Sequence, residues 1–338
     1  MVDLTVMGAG AFGLALAWEA VQRGARVQVI DPGGPGAGAS GGLVGALAPH
    51  APEAWTPAKA LQLEALAMAP GWWAAVAAAA GRDPGYARSG RVQPLADARA
   101  VGLAQARAAG AAALWQGLGT WQVRAVHDGD PVSASGLVAQ DTLTARLHPR
   151  LALAALASAI RAQGGTLSAS GSVRGAVVWA TGAPGLRALS SALGRDIGRG
   201  EKGQALALRH AAPDAPQIYA PGLHVVPHAD GTVAIGSTSE RDYADATTTD
   251  AQIDDLRARA IAVWPVLSGA PVVARWAGER PRAASRTLLL GPWPGRGGHF
   301  VANGGFKTGF AMAPLAAGLM ADLVLDGRDT IPDAWRLG

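Results

Sequence analysis

The segment that decides the fold lies at residues 3–31 and reads DLTVMGAGAFGLALAWEAVQRGARVQVID. Short apolar runs at 3–7 and 26–31 predict two buried strands, and the stretch 11–23 predicts a helix between them. The turn from the first strand into the helix has the sequence GAGAFG, a G-x-G-x-x-G pattern at residues 8–13. There the first glycine permits a tight turn, the second lets a diphosphate approach the backbone, and the third packs the helix on the strand. The segment therefore predicts a βαβ unit that binds a dinucleotide.

Two further glycine-rich segments bear on which dinucleotide binds. Asp31 ends the second strand, where a carboxylate accepts hydrogen bonds from ribose hydroxyls and disfavours a 2′-phosphate. The loop 33–45 follows it and contains too many glycines for a helix or strand, so we expect it to bring backbone close to a ligand. The turn 303–309, NGGFKTG, leads into the last predicted helix, whose N-terminus would stabilise negative charge on a reduced flavin. Both features favour FAD, although the fingerprint alone leaves NAD open.

Composition excludes several classes of protein. Of the 338 residues, 49% are hydrophobic and 16% are charged, which is typical of a globular chain of about two domains. There is no cysteine, which excludes disulfides, zinc-thiolate sites and cysteine nucleophiles, and we predict no metal site. The basic residues are nearly all arginines and form no run, so no nucleic-acid partner is indicated. Without a recognisable export signal or membrane span, we expect a cytoplasmic protein, with homo-oligomerisation left open.

Periodicity divides the rest of the chain between two kinds of structure. Helices are predicted at 57–80, 97–114, 149–163, 250–263 and 309–326. Strands are predicted at 88–95, 121–126, 176–182, 203–209, 222–228, 232–238, 271–277, 286–290 and 299–303. The fold class is α/β, with a Rossmann-like, doubly wound cofactor domain and a second α+β domain built mostly on an antiparallel sheet. We assign residues 1–55, 145–200 and 286–338 to the cofactor domain, and 56–144 and 201–285 to the substrate domain.

The chain resembles the FAD-dependent D-amino-acid oxidase superfamily, which includes glycine oxidases and sarcosine oxidases. The resemblance covers nearly the whole chain, and the order and spacing of its motifs are more specific than any one motif. Besides the fingerprint with Asp31, the motifs are GASGGLVGALAPH at 38–50, HPRLALAALASAIRAQGG at 148–165, WATGA at 179–183, KGQALAL at 202–208, HVVPHADGTVAIGSTSE at 224–240, WAGERPR at 276–282 and NGGFKTGFAMAPLAAGLMADLV at 303–324.

The resemblance implies oxidation of an amine or amino acid by hydride transfer from the carbon that bears nitrogen to flavin N5. Water would hydrolyse the imine product, and oxygen would usually reoxidise the flavin to give peroxide. Arg280 matches the arginine that grips the substrate carboxylate in glycine-oxidase-like members, and Lys307 matches the carboxylate-binding lysine of sarcosine-oxidase-like members. His224 stands where glycine-oxidase-like members have a substrate tyrosine, which departs from the pattern. A structural ion pair of Arg280 with neighbouring Glu279 is the alternative interpretation of that arginine.

The resemblance also implies which residues contact FAD. They come from the fingerprint, the loop after Asp31, the turn after the predicted strand 176–182 and the turn before the last helix. The predicted cofactor residues are Gly8, Gly10, Ala11, Phe12, Gly13, Asp31, Ser40, Gly41, Ala46, Leu47, Ala180, Thr181, Gly182, Gly304, Gly305, Phe306, Lys307 and Thr308. Because no cysteine is present for a covalent link of the sarcosine-oxidase type, we predict non-covalent FAD.

Other departures from the family pattern keep alternative functions open. Ser285 or its neighbour replaces the family's usual aspartate, and residues 164–177 are shorter than the matching stretch of most relatives. These departures, together with His224, would also suit a non-catalytic FAD-binding protein. The GASGGLVGALAPH motif is similar to the oxidase that acts on a carboxymethylaminomethyl group of the tRNA wobble uridine, which gives a second enzymatic alternative. An NAD dehydrogenase is the fourth hypothesis.

Overall fold

The structure, a computed structural model, describes residues 2–337. These residues form two large sheets, one short two-stranded sheet and seven α-helices. The strands are β1 (Leu4–Met7), β2 (Val27–Ile30), β3 (Ala46–Leu47), β4 (Arg91–Pro94), β5 (Trp121–Ala125), β6 (Leu137–Asp141), β7 (Ala145–Arg146), β8 (Thr166–Ser168), β9 (Ala176–Trp179), β10 (Gly198–Arg209), β11 (Gln217–Ala220), β12 (Leu223–Pro227), β13 (Thr232–Gly236), β14 (Val272–Ala283), β15 (Leu289–Pro292) and β16 (His299–Asn303). The helices are α1 (Ala11–Gln22), α2 (Pro57–Ala80), α3 (Ala98–Leu114), α4 (Pro149–Ala162), α5 (Gly182–Leu193), α6 (Gln252–Val263) and α7 (Gly309–Asp326).

The first sheet has six strands in the order β15-β16-β9-β1-β2-β8. Strand β1 is central and pairs in parallel with β2 and β9, and only β15 at one edge runs antiparallel to its neighbour. Helices α1, α4 and α7 pack on one face in the largest apolar core, and α5 packs on the other face through Leu186 and Leu189. Helices on both faces of a mostly parallel sheet confirm the predicted doubly wound architecture.

The second sheet has eight strands in the order β14-β10-β13-β12-β11-β4-β6-β5. Every neighbouring pair is antiparallel except β11 and β4. Helix α6 covers one face of its central strands in an apolar cluster that includes Leu206, Val225 and Ile235. The opposite face packs against Leu43 and Val44 of the loop that follows β2. The predicted antiparallel sheet is confirmed, and the loop places one of its faces beside the first sheet's cofactor turn.

The longest strands exceed their predictions because pairing, and not local sequence, sets their length. Strand β10 begins at Gly198 and β14 continues to Ala283, and the two pair along nearly their whole length. The stretch GRGEK at 198–202 has little strand propensity alone. Helix α5 follows β9 directly and was missed, since Gly182, Pro184 and Gly185 indicate a turn.

Our division into domains stays a prediction, and one helix lies across it. Helix α2, which we assigned to the substrate domain, packs against α4 and α7 in the core of the first sheet.

Helices α2 and α7 are also long and apolar enough, by length and composition alone, to cross a membrane. Trp73 of α2 and Met320 of α7 are nevertheless buried in that core, and core helices of soluble proteins satisfy the same criterion.

Candidate cofactor and substrate site

The fingerprint turn between β1 and α1 has the geometry that its glycines predict. Gly8 has a φ of +108°, and a Cβ added there would lie 2.4 Å from the carbonyl oxygen of Ala180. A Cβ on Gly13 would lie 1.9 Å from the carbonyl oxygen of Gly8, so only glycine lets α1 start this close to β1. The chain itself therefore requires the first and third glycines.

The second glycine is different, because the chain does not fill the space beside it. A Cβ on Gly10 would meet only Ser40, whose Oγ lies 3.2 Å away. That Oγ accepts a hydrogen bond from the amide of Ala11 at 3.0 Å, while the other first-turn amides of α1 have no partner within the helix. A glycine without a packing reason, beside free helix amides, fits a bound diphosphate. The residues present therefore fit a dinucleotide.

The carboxylate of Asp31 stabilises this turn. Its carboxylate accepts hydrogen bonds from the amides of Ala9 at 2.7 Å and Gly33 at 2.9 Å. It thereby ties the end of β2 to the fingerprint and to the start of the glycine-rich loop. The predicted contact of Asp31 with a ribose uses oxygen lone pairs that these two amides leave free.

The other predicted cofactor segments converge on the same turn. The amide of Gly36 donates to the carbonyl of Ala9 at 3.1 Å, which brings the glycine-rich loop against the fingerprint. Gly305 lies against the ring of Phe12, since an added Cβ would be 3.0 Å from Phe12 Cζ. The structure thus brings the segments around Ser40, Ala180 and Gly305 together at the fingerprint.

Asn303 links two of these segments and was not among the predicted site residues. Its Nδ2 donates to the carbonyl of Gly182 at 2.9 Å, and its Oδ1 accepts from the amide of Gly304 at 2.8 Å. The buried amide thereby joins the turn after β9 to the turn before α7. The sequence signal for it was its place at the start of the NGGFKTG motif.

The remaining predicted cofactor residues lie at the edges of this region. Gly41 packs on Gly36, and Thr308 donates its amide to the carbonyl of Gly305 at 2.8 Å. Ala46 and Leu47 form β3, which pairs with β7, and Leu47 is fully buried. Contacts of these residues with the flavin remain predictions.

The face of the second sheet opposite α6 carries the candidate substrate site. Strand register places Trp276, Ala205, Gly236, His224 and Tyr219 directly opposite one another, pair by pair, across five adjacent strands. Directly opposed residues of antiparallel strands lie on the same face. The central positions of the row are small, while aromatic side chains stand at both ends. The loop after β2 covers the centre of the row, because Ala205 packs with Leu43 and a Cβ on Gly236 would lie 3.0 Å from Cγ2 of Val44. The aromatic side chains at the two ends of the row therefore flank this loop.

Arg280 lies on this same face and is the most informative side chain of the site. It is 9% exposed, and burial lowers the pKa of its guanidinium to about 10, so it stays charged at neutral pH. Its one hydrogen bond to the described residues runs from Nη1 to the carbonyl oxygen of Thr238 at 3.2 Å. Within residues 2–337 no carboxylate forms an ion pair with it. A buried, unpaired guanidinium is costly unless an anion binds to it.

The predicted alternative partner of Arg280 is engaged elsewhere. Glu279 points to the opposite face, where it accepts hydrogen bonds from Arg187 at 3.1 Å and from the hydroxyl of Tyr243. Tyr243 accordingly has its pKa raised to about 12, by burial and by this carboxylate. The alternative prediction, a structural ion pair between Arg280 and Glu279, is therefore wrong.

Glu201 is the acidic residue nearest to Arg280 in register, and sequence reasoning missed it. It faces Arg280 directly across β10 and β14, yet its carboxylate accepts from Arg282 and from the hydroxyl of Ser239. These bonds outweigh burial and lower the pKa of Glu201. No pattern in the sequence pointed to it, because the residue pairs only through strand register.

Lys307 approaches from the turn before α7. Its side chain is exposed, and its Nζ lies 5.4 Å from the ring centre of Phe306, whose ring also lies 5.0 Å from Cζ of Arg282. Partial burial of the amine, and then the charge of Arg280, lower the pKa of Lys307. Two cations that destabilise each other in this way favour an anion between them.

His224 lies beside Tyr219, at the opposite end of the cross-strand row from Trp276. Its ring lies 4.9 Å from that of Tyr219, and its Nδ1 is buried without a hydrogen-bond partner in the described residues. Burial, followed by the charges of Arg91 and Lys307, lowers its pKa to about 4. His224 is therefore neutral at physiological pH. Tyr219 was not predicted, and its pairing with His224 shows only in the strand register.

A doubly wound α/β sheet with a dinucleotide fingerprint, beside a second sheet that holds an arginine without a carboxylate partner in the described residues, is typical of nucleotide-dependent oxidoreductases. A family model described as FAD dependent oxidoreductase matches residues 3–323. The chain belongs to this family, which confirms the resemblance found in the sequence and the choice of FAD.

Individual relatives agree with this assignment. The chain is 27% identical over 360 residues to a glycine oxidase of Geobacillus kaustophilus, covering 95% of this chain and 92% of that protein. It is 38% identical over 133 residues to a glycine oxidase of Pseudomonas aeruginosa, but that match covers 39% of this chain and only 36% of the relative.

Solved structures give the same result for the fold. The crystal structure of glycine oxidase from Geobacillus kaustophilus superposes with a TM-score of 0.87 at 25% identity, over 99% of this chain and 98% of that one. Iminodiacetate oxidase from Chelativorans sp. BNC1 superposes with a TM-score of 0.84 at 22% identity, with the same coverage. The predicted fold class is thereby confirmed.

Proposed function

We propose that this protein oxidises a small amine or amino acid that carries a carboxylate, using non-covalently bound FAD. The observation that carries the proposal is the buried guanidinium of Arg280, on the face of the second sheet opposite α6. It has no carboxylate partner in the described residues. Its planar fork matches both oxygens of a carboxylate. The names of the relatives, glycine oxidase and iminodiacetate oxidase, agree with a small carboxylate substrate.

Bound FAD supplies the oxidising chemistry, which is the acceptance of a hydride from the carbon that bears the amine nitrogen. The side chains of the site have the tasks of binding and orientation. Arg280 and Lys307 hold the carboxylate, which fixes the position of the adjacent carbon. His224 offers a neutral ring nitrogen that a polar substrate group can hydrogen-bond. Water would hydrolyse the imine product, and oxygen would take up the two electrons and leave as peroxide.

A visible spectrum tests the proposal directly. The purified protein is recorded anaerobically before and after addition of glycine, sarcosine, iminodiacetate, proline and D-amino acids. We expect a flavin spectrum that bleaches with at least one carboxylate-bearing amine and not with the matching amine that lacks the carboxylate. A flavin that dithionite bleaches but that none of these amines bleaches would contradict the proposal.

Acid precipitation tests the mode of cofactor binding. Without a cysteine in the chain, we expect the yellow colour to remain in the supernatant after the protein is precipitated. Colour that stays in the pellet would establish a covalent link through another side chain.

A further inference from the structure

The guanidinium of Arg280 lies directly across Gly203 of β10. A Cβ added to Gly203 would stand 1.8 Å from Nη1 of Arg280 and 2.1 Å from both Cζ and Nη2. Three guanidinium atoms within 2.1 Å of that point mean that the head group occupies the space that a side chain at residue 203 would take. The backbone at this residue is therefore in direct contact with the Arg280 head group.

No other feature of the chain requires glycine at residue 203. Its backbone conformation is outside the left-handed region that favours glycine, and it is paired with Gly278 in a regular antiparallel ladder. Glycine in the interior of a strand costs conformational entropy and gives no side chain for packing. The three atoms nearest to the position of the missing Cβ all belong to the Arg280 guanidinium.

We propose that Gly203 is a positioning residue for substrate binding, because its missing side chain forms the seat in which the Arg280 guanidinium lies. The seat has two further boundaries, the carbonyl of Thr238 that accepts from Nη1 and the ring of Trp276 at 5.9 Å from Cζ. Nη1 donates to this carbonyl, and the other N–H donors of the guanidinium have no hydrogen-bond partner among the described residues. The inference rests on the proposed role of Arg280 in carboxylate binding.

The overlap at Gly203 concerns the end of a flexible side chain and not backbone. In the Gly203→Ala variant the guanidinium is therefore expected to move, while the β10–β14 ladder stays intact. The ladder offers a matched control at Gly200, where a Cβ would stand 2.7 Å from Oε1 of Glu279 on the opposite face. Gly200→Ala thus makes a similar overlap with a flexible charged side chain that does not touch Arg280.

The experiment measures binding of acetate, the minimal carboxylate, to the FAD-loaded protein through the change in its flavin spectrum. We expect Gly203→Ala to weaken acetate binding by about tenfold or more, because a displaced guanidinium loses a charge-assisted bond. Gly200→Ala is expected to stay within about twofold of the unchanged protein. Oxidation of the substrate found in the panel should show the same change as a higher KM at nearly constant kcat.

A double-mutant cycle separates this inference from the proposed function. In the Arg280→Met background, Gly203→Ala should have no further effect on acetate binding, because its effect acts through the guanidinium. If Arg280→Met weakens acetate binding but Gly203→Ala does not, the seat is disproved and the carboxylate role of Arg280 stands. If Arg280→Met leaves acetate binding unchanged, the proposed function of Arg280 fails first.

Failure of the single variant to fold also gives a result. Removal of the guanidinium relieves the overlap, so the Gly203→Ala/Arg280→Met double variant should recover FAD content and thermal stability. Recovery supports the seat, and a double variant that misfolds like the single one overturns it.

Discussion

Glu201 lies directly opposite Arg280 in the β10–β14 pair, yet its carboxylate binds Arg282 and Ser239 and leaves Arg280 unpaired. The strand register thus brings the Glu201 carboxylate next to Arg280, the proposed carboxylate-binding residue. Arg282, two residues further along β14, forms the ion pair with that carboxylate. The charge of Glu201 still acts on the site, since it raises the pKa of both Arg280 and Lys307 against the effect of burial.

Replacement of Glu201 by glutamine should tighten the binding of a carboxylate. Loss of the negative charge makes the site more positive, and Arg282 loses its partner, so we expect affinity to rise by about 0.5 to 1.5 kcal/mol. The free energy of unfolding should fall by about 1 to 3 kcal/mol because a buried ion pair is broken. Acetate titration and urea unfolding measure the two effects. Glu279→Gln, on the opposite face, should leave acetate affinity unchanged.

Replacement of Arg280 by methionine should weaken carboxylate substrates and stabilise the protein. One lost charge-assisted bond costs about 1.5 to 3 kcal/mol in binding, measured as kcat/KM for the substrate. Removal of an unpaired buried charge should leave the melting temperature equal or higher. Arg280→Lys should recover part of the binding, because the charge returns without the planar fork. A methionine variant with unchanged kcat/KM would remove Arg280 from the site.

Lys307 predicts an alkaline limit to carboxylate binding. Partial burial of its amine and the charge of Arg280 hold its pKa below the ordinary value of 10.5, so the amine loses its charge at a lower pH than a fully hydrated lysine does. We expect the affinity for acetate to fall as the pH rises through this pKa, since only the protonated amine attracts the anion. The Lys307→Met variant should bind more weakly, by about 1.5 to 3 kcal/mol, and should show a smaller fall, which then comes from Arg280, whose pKa burial lowers to about 10. The same alkaline fall in the variant would assign it to another group.

Buried neutral histidines predict a loss of stability in acid. Nε2 of His228 lies 3.1 Å from the carbonyl of Leu43, and burial followed by His148 lowers the pKa of His228 to about 4. The unfolded chain protonates near 6.5, so between pH 6.5 and pH 4 it binds more protons than the folded one. Stability is therefore complete above pH 6.5 and falls toward pH 4, by on the order of 1 to 3 kcal/mol for this group.

The His228→Gln variant tests this acid dependence. Thermal unfolding at pH 7 and at pH 4.5 should show a smaller difference for the variant than for the unchanged protein. Exposed His127 supplies the control, because His127→Gln should leave the difference as it is. An equal difference in the His228 variant would contradict the assignment.

Addition of a methyl group at Gly13 should abolish cofactor binding. The Cβ would lie 1.9 Å from the carbonyl oxygen of Gly8, which is backbone and cannot move aside, so α1 must shift away from β1. Overpacking of this kind costs about 1 to 3 kcal/mol or more and displaces the helix amides. We expect Gly13→Ala to purify with little FAD. Gly102→Ala, at an exposed helix position with open space, should keep full FAD content.

Sequence reasoning predicted the cofactor half well because its signals are local. The fingerprint, Asp31 and α1 lie within 31 residues, and Gly8 and Gly13 have steric reasons that the glycine pattern reveals. Helix α2 was predicted with both ends, since Thr56 caps it, Pro57 begins it and Gly81 ends it.

The substrate half was predictable only in part, because its contacts depend on strand register. Arg280 and Lys307 were found through motifs, but the engagement of Glu201 by Arg282 requires knowledge of which residues face each other across β10 and β14. Tyr219 beside His224 has the same origin. Side chains brought together across strands leave no period in the sequence, so neither pair could be read from it.

The first sheet has its earliest strand at its centre and its last strands at one edge. Strand β1 is complete within the first 7 residues, whereas β15, β16 and α7 come from residues 289–326, and α7 packs on α1. During synthesis the apolar face of α1 therefore has no partner from α7 until almost the whole chain has left the ribosome. We therefore expect a chain cut short by about fifty residues, which lacks β15, β16 and α7, to purify without FAD, because α1 has lost the helix that packs on it.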